Sequence, residues 1–153
     1  MGKKFFETDL AYMAGFLDAD GAIMAIIERH QEKKFRFRVR VSLKITQRDK
    51  INLIWFLKTF RVGYIRKNRG TYDWEVRDQK AALWLLKLIF PYLKTKRNQA
   101  AIAQQILKKE IKSLRDLLRV ARSADALSRF NVRSKNRRKN FVSMIQKYFS
   151  PND

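Results

Sequence analysis

The sequence predicts an α+β fold with element order α-β-β-α-β-β-α and further helices after it. Three patterns carry that reading. Residues 35–45 alternate, with Phe35, Phe37, Val39, Val41, Leu43 and Ile45 on one side and Arg36, Arg38, Arg40, Ser42 and Lys44 on the other. Period two marks a half-buried strand. Residues 63–77 hold two shorter runs around Asn68-Arg69-Gly70, the pattern of a hairpin. Apolar runs with helical spacing precede and separate these strands.

In chain order, Thr8 is the expected N-cap of the first helix and Gly21 its end. Leu10, Met13, Ala14 and Leu17 suit the core, whereas Thr8, Ala11, Tyr12, Gly15 and Ala19 share the opposite face. Ala11, Gly15 and Ala19 recur every fourth residue, so a second helix can approach there at backbone distance. Residues 22–29 read as a strand and 31–33 as a turn before the arginine-rich strand. Asp49 to Phe60 reads as a helix. Gly70 is expected to supply positive φ in the hairpin turn, with Tyr72, Trp74 and Val76 on one face and Asp73, Glu75 and Arg77 on the other. Gln79 to Phe90 is an apolar helix stopped by Pro91. Thr95 to Lys109 reads as a helix, with shorter ones through Arg129 and a last one holding Phe141, Val142, Met144, Ile145, Tyr148 and Phe149.

Composition narrows the partners. The 153 residues suit one domain, residues 1–153, with a hydrophobic core. Lys and Arg number 35 against 14 acids, a formal net charge of +21, yet 46% of residues are apolar. That excludes a disordered polycation and calls for an acidic partner, nucleic acid above all. An anionic membrane fits less well, because the cations sit in strands rather than on one amphipathic helix. No run is long enough for a bilayer span, the start lacks the apolar stretch of a signal peptide, and Phe6 stands where myristoylation expects Ser or Thr. Cysteine is absent, which fits a reducing, intracellular setting and removes thiolate metal chemistry. The single histidine, His30, reads as a strand-end polar contact. The wet face of the arginine strand repels itself unless phosphates or bases lie against it.

The first helix ends in two acids, Asp18 and Asp20. A helix C-terminus is the negative end of the macrodipole and disfavours anions. A divalent metal at Asp20 resolves the conflict. The stretch Met13-Ala14-Gly15-Phe16-Leu17-Asp18-Ala19-Asp20-Gly21 resembles the LAGLIDADG motif of homing endonucleases, with Met13 and Phe16 as its apolar departures. The resemblance extends in pattern along nearly the whole chain and implies a saddle-shaped antiparallel sheet backed by helices. The five glycines, at 2, 15, 21, 63 and 70, leave no room for a second motif. A single-motif chain of this family works as a homodimer, here through Thr8, Ala11, Tyr12, Gly15 and Ala19.

The resemblance also implies roles. Asp20 and the carbonyl of Ala19 would hold Mg²⁺, with Mn²⁺ as a substitute, while Asp18 caps or bonds near the helix end. Gln47 would orient the attacking water and Lys96 would stabilise charge at the scissile phosphate. Ile51 stands where a further basic residue is expected, so Lys50 is the nominated substitute and Arg48 the other candidate. The sheet would read the major groove through Met24, Ile26, Glu28, Arg36, Arg38, Arg40, Ser42, Lys44, Arg66, Asn68, Arg69, Asp73 and Glu75, with Tyr64 packing on a base or methyl. Ser134, Lys135 and Arg137 match a backbone-contacting loop in the densest basic run, which continues through Arg138 and Lys139. A strand of about ten residues spans roughly 33 Å, close to ten base pairs at about 3.4 Å each. Two sheets would cover about twenty base pairs. The expected activity is therefore a metal-dependent cut of both strands of a long pseudo-palindromic double-stranded DNA site. The alternatives are a splicing maturase that grips intron RNA, a non-cleaving DNA-binding regulator, and a general RNA-binding or ribosome-associated protein. The last explains the charge but not the acidic helix end. An intron-encoded protein of a bacterial cytoplasm or of an organelle, chloroplast or mitochondrion, is the implied setting.

Overall fold

A computed structural model describes residues 3–131 and 138–151. Helix α1 (Glu7–Asp20) leads into strands β1 (Gly21–Arg29) and β2 (Phe37–Gln47), helix α2 (Ile51–Phe60), strands β3 (Tyr64–Asn68) and β4 (Thr71–Val76), and helix α3 (Gln79–Ile89). A 3-10 turn, Phe90–Tyr92, precedes α4 (Arg97–Lys108), α5 (Leu114–Asn131) and α6 (Phe141–Phe149). The four strands form one antiparallel sheet in the order β1-β2-β4-β3. The expected α-β-β-α-β-β-α order is present.

One side of the sheet is covered. Ile23 and Ile27 of β1, Val41, Leu43 and Ile45 of β2, and Trp74 and Val76 of β4 are buried with Leu10, Met13, Ala14 and Leu17 of α1 in one continuous apolar cluster. Alternation places the other half of each strand on an open face. Trp74 is fully buried, and its indole N–H donates to the Val62 carbonyl at 3.1 Å. The approach leaves no space for a side chain at Gly63, which has φ +81° and whose Cβ would lie 2.6 Å from the Glu75 carbonyl.

Several local expectations are corrected. Phe6, not Thr8, is the N-cap of α1, and no side chain caps it. Gly21 ends the helix as expected; it is extended, and its N–H donates to the Leu17 carbonyl. A Cβ there would sit 2.4 Å from Leu17 Cδ1, so close approach explains the glycine. The second strand starts at Phe37 rather than Phe35. Arg36 has φ 64° in the preceding turn, where its N–H donates to the Lys33 carbonyl at 2.9 Å and its guanidinium donates to the Gln31 carbonyl. Arg36 therefore closes a turn and does not extend the row of cations on the strand. In the β3–β4 hairpin the left-handed residue is Arg69, φ 56°, not Gly70. Helix α2 begins at Ile51, its N–H held by the Asp49 carboxylate at 2.9 Å. The short helices expected before Arg129 are one 18-residue helix.

Candidate active site and nucleic-acid interface

The last turn of α1 sends its two acids in different directions. Asp18 points into the protein. Its carboxylate accepts the backbone N–H groups of Lys94 and Lys96, both at 2.8 Å. Lys96 is the N-cap of α4 and supplies no side-chain cap of its own. Asp18 thus leaves the negative end of one helix and serves the positive end of another, which removes its conflict with the macrodipole. Lys96 returns the contact: its ammonium donates to the Asp18 carbonyl at 2.6 Å. A lysine ammonium has three donors, so two remain.

Asp20 points outward and is exposed. Gln47, the last residue of β2, donates Nε2 to Asp20 Oδ2 at 3.0 Å and to the Thr46 carbonyl at 2.9 Å. Both amide protons are engaged, and among the described residues no side chain or backbone N–H donates to the Gln47 side-chain oxygen. The Lys50 ammonium lies 5.6 Å from the ring centre of Tyr72, the cross-strand partner of Gln47. Lys50 therefore sits beside the glutamine pair, while Arg48 is exposed with no such contact. Ile51 is 70% exposed. The donors at this turn are hard oxygens: the Asp20 carboxylate, the Gln47 amide oxygen and the Ala19 carbonyl, which lies where helix carbonyls lack intrahelical partners. That set fits Mg²⁺, which takes few protein ligands and keeps several waters. Among the described residues no three His, Cys, Asp or Glu side chains converge on a metal position; at this turn Asp18 is spent on Lys94 and Lys96, which leaves Asp20 as the open carboxylate.

Beside Asp20, α1 exposes Thr8, Ala11, Tyr12, Gly15 and Ala19. Nothing lies within 4 Å of a Cβ placed on Gly15. Glycine inside a helix costs about 0.5–1 kcal/mol relative to alanine, and nothing among the described residues of its own chain requires it. Tyr12 is tied to its own subunit as well: its ring meets Trp55 edge-on with centroids 5.2 Å apart, and its hydroxyl donates to Asn52 at 3.4 Å.

The open face of the sheet forms a trough of about 430 Å³, lined by Met24, Ile26, Glu28, Arg38, Arg40, Ser42, Lys44, Arg66, Glu75 and Arg77. Strand register explains the grouping, since Glu28 faces Arg38, Ile26 faces Arg40, Met24 faces Ser42, Lys44 faces Glu75 and Arg66 faces Asp73. The acids fix the cations. Glu28 accepts Arg38 Nε at 2.9 Å, and that bond holds its carboxyl below the usual range against the opposing effect of burial. Asp73 and Glu75, expected on a wet face, are buried, Asp73 completely. Burial pushes the Asp73 carboxyl up, but hydrogen bonds from Thr46 (2.6 Å) and Asn68 (3.1 Å), with Lys44 and Arg66 nearby, outweigh it and hold it below its ordinary value. Glu75 accepts from Tyr64 at 3.0 Å and from Arg77 at 3.1 Å. Burial, then the Glu75 bond, raises the Tyr64 phenol. Arg66 Nε stands 3.6 Å from both acids. Tyr64 is spent on Glu75 through its hydroxyl and keeps an exposed ring.

Arg69 lies in the hairpin turn and Asn68 at its edge, outside the trough. Arg77 belongs to the trough although it was not among the expected readers. Its signal was visible, because it continues the alternation of Asp73 and Glu75 by one step. Ser134, Lys135 and Arg137 lie outside the described residues. Arg138 is half-buried, and the Lys139 N–H donates to Ser128 at 2.9 Å. The Asp125 carboxylate caps α6 through the N–H groups of Phe141 and Val142. The basic segment therefore ends on a firm anchor. His30 closes the turn after β1 through its backbone, donating to Arg36 at 2.8 Å and accepting from Lys33 at 3.1 Å.

The family model for LAGLIDADG endonucleases matches residues 13–111. The chain belongs to the LAGLIDADG endonuclease family. The chain is 32% identical to DNA endonuclease I-CreI of Chlamydomonas reinhardtii over 111 residues, covering 70% of this chain and 67% of that protein. It is 36% identical to DNA endonuclease I-CvuI of Chlorella vulgaris over 106 residues, covering 67% and 66%. The crystal structure of I-CvuI with an I-CreI target and 2 mM Mg, in which the DNA is not cleaved, superimposes with a TM-score of 0.82 at 31% identity and covers 93% of this chain and 94% of that one. In this LAGLIDADG chain the motif runs through the last two turns of α1 and ends at the exposed Asp20 and the extended Gly21.

Proposed function

We infer that this protein is a site-specific homing endonuclease that hydrolyses one phosphodiester in each strand of a pseudo-palindromic DNA site of about twenty base pairs, as a homodimer. One observation carries the reading. Asp20 is the single carboxylate left open at the end of α1, held by Gln47 and flanked by a lysine that Asp18 has fixed in place. A binding protein has no use for an unneutralised acid beside a basic trough. The bare Gly15 face and the single carboxylate per chain both support pairing with a twin, which brings a second Asp20 to the two-fold axis.

Bound Mg²⁺, with Mn²⁺ as a substitute, supplies charge neutralisation, an acidified water and a stabilised leaving oxygen. The chain's own residues do the rest. Asp20 and Ala19 would hold the cation, and Gln47 keeps the Asp20 carboxylate in one orientation while its amide oxygen would accept from a water. Lys96 directs its two remaining donors at phosphate oxygens, and Lys50 adds positive charge next to Gln47. Arg38, Arg40, Lys44, Arg66 and Arg77 enter the major groove already oriented by Glu28, Asp73 and Glu75. A fixed guanidinium reads guanine bidentately, and worth about 1–3 kcal/mol of discrimination per contact. The setting that fits is an intron-encoded protein of a bacterial cytoplasm, chloroplast or mitochondrion. Selection of cut sites from a random duplex library in Mg²⁺ tests the reading: recovery of one two-fold-related sequence family supports it, and no cleavage with intact binding rejects it.

A further inference from the structure

Helix α5 carries a second set of cations that the sheet does not use. The helix packs on β1 with Leu117, Val120, Ala121, Ala124 and Leu127 buried. At about 100° per residue, Arg115, Arg119, Arg122, Arg129 and Phe130 point the other way, and all five are exposed. The trough lies across the sheet from this face, since Ile23 and Ile27 of β1 are buried on the helix side while Met24, Ile26 and Glu28 line the trough.

Three features separate this ridge from an ordinary solvated helix. First, every cation on α5 is arginine, the side chain whose planar fork suits phosphate; lysine would serve solubility equally well. Second, neither acid of α5 reaches the ridge. Asp116 is taken by the Lys112 N–H at 3.0 Å and Lys109 at 3.3 Å, and Asp125 caps α6. Arg115 and Arg119, four apart, and Arg119 and Arg122, three apart, therefore repel each other, and among the described residues no acid pairs with them, an arrangement that weakens a helix. Third, the guanidinium groups rim an apolar floor. Leu114 and Leu118, with Arg115, Arg119 and Arg122, line an open groove of about 330 Å³, and Phe130 stands 52% exposed further along.

We propose that the outer face of α5 is a second nucleic-acid site and that it takes an unpaired strand. Charge complementarity selects a phosphodiester backbone for the arginines. The Leu114–Leu118 floor and the Phe130 ring select bases that are free to leave a stack, which duplex DNA does not offer. The site is independent of the trough and of cleavage.

The test uses the whole protein with labelled, unstructured RNA and DNA oligonucleotides of about twelve nucleotides, in the presence of excess mixed-sequence duplex to fill the sheet face. Arg119→Ala/Arg122→Ala is expected to weaken strand binding about tenfold or more and to lower its salt slope by about 1.4, with duplex binding unchanged. Phe130→Ala is expected to weaken strand binding several-fold without changing the slope. Arg38→Ala/Arg40→Ala is expected to weaken duplex binding alone, which reports on the endonuclease reading separately. Equal binding of RNA and DNA supports a site for any unpaired strand, and tighter RNA binding supports one that also reads the 2′-hydroxyl. Strand binding that survives the α5 substitutions, falls with the sheet substitutions, or is displaced by duplex overturns the proposal.

Discussion

The inner and outer sides of the last turn of α1 are built from the same residue type to opposite ends. On the inner side Asp18 satisfies the backbone N–H of Lys96 at the start of α4 and that of Lys94 just before it, and its own carbonyl is taken by Lys96. On the outer side Asp20 keeps one protein donor, Gln47, and otherwise faces solvent beside the bare Gly15 stripe. The contrast shows how one short motif divides its work. Its first acid ties the motif to the rest of the fold, and its second is left short of partners so that something else can complete it.

The largest way to break this contrast is Asp20→Asn. Cutting in Mg²⁺ should fall by roughly 10³-fold, the scale of losing a charge-stabilising group, while DNA affinity and melting temperature hold. A gel assay with matched binding titration reads both, and an undiminished cutting rate would remove the outer side's special status. Gly15→Leu comes next. A leucine on the exposed stripe should block close helix approach and shift sedimentation from twice the chain mass to one, with the fold intact by circular dichroism. A wild type that sediments as a single chain would remove the dimer.

The inner side should respond in stability rather than in chemistry alone. Asp18→Ala removes two charge-assisted bonds to backbone donors, so unfolding should become easier by about 2 kcal/mol. Lys96 loses its anchor with it, and the rate should drop at saturating DNA more than the affinity does. Equal urea midpoints for Asp18→Ala and Asp20→Asn would contradict the division. The smallest effect concerns the trough. The folded Asp73 carboxyl titrates below its unfolded value, so its contribution is present above the unfolded value and is lost as pH falls through the folded one. Asp73→Asn should therefore flatten the acid limb of the stability profile by a fraction of a kcal/mol to about 1 kcal/mol and leave the neutral region nearly level.

Much of the fold was legible because backbone periodicity is local. The alternation through Ile45 and the apolar side of α1 follow from the 2.0 and 3.6 residue repeats, and the structure buries Leu10, Met13, Ala14 and Leu17 as the pattern requires. The errors fell where one residue's conformation answers to a neighbouring segment. Arg36 looked like the start of the strand's wet face, yet the turn's own hydrogen bonds claim it. Asp73 and Glu75 looked solvated, yet Lys44 and Thr46 of β2, Arg66 and Asn68 of β3, and Arg77 just after β4 close over them.

The amino-acid order by itself determined the strand and helix order, the excess of positive charge and the position of the two motif acids, because each depends on spacing along the chain. Tertiary structure decided which acid is spent and which is kept. Asp18 meets its donors 76 and 78 residues away, and only packing of α1 against the segment before α4 brings those N–H groups within reach. It likewise turned the α5 arginines away from the sheet, since a helix buries one side and the core chose which.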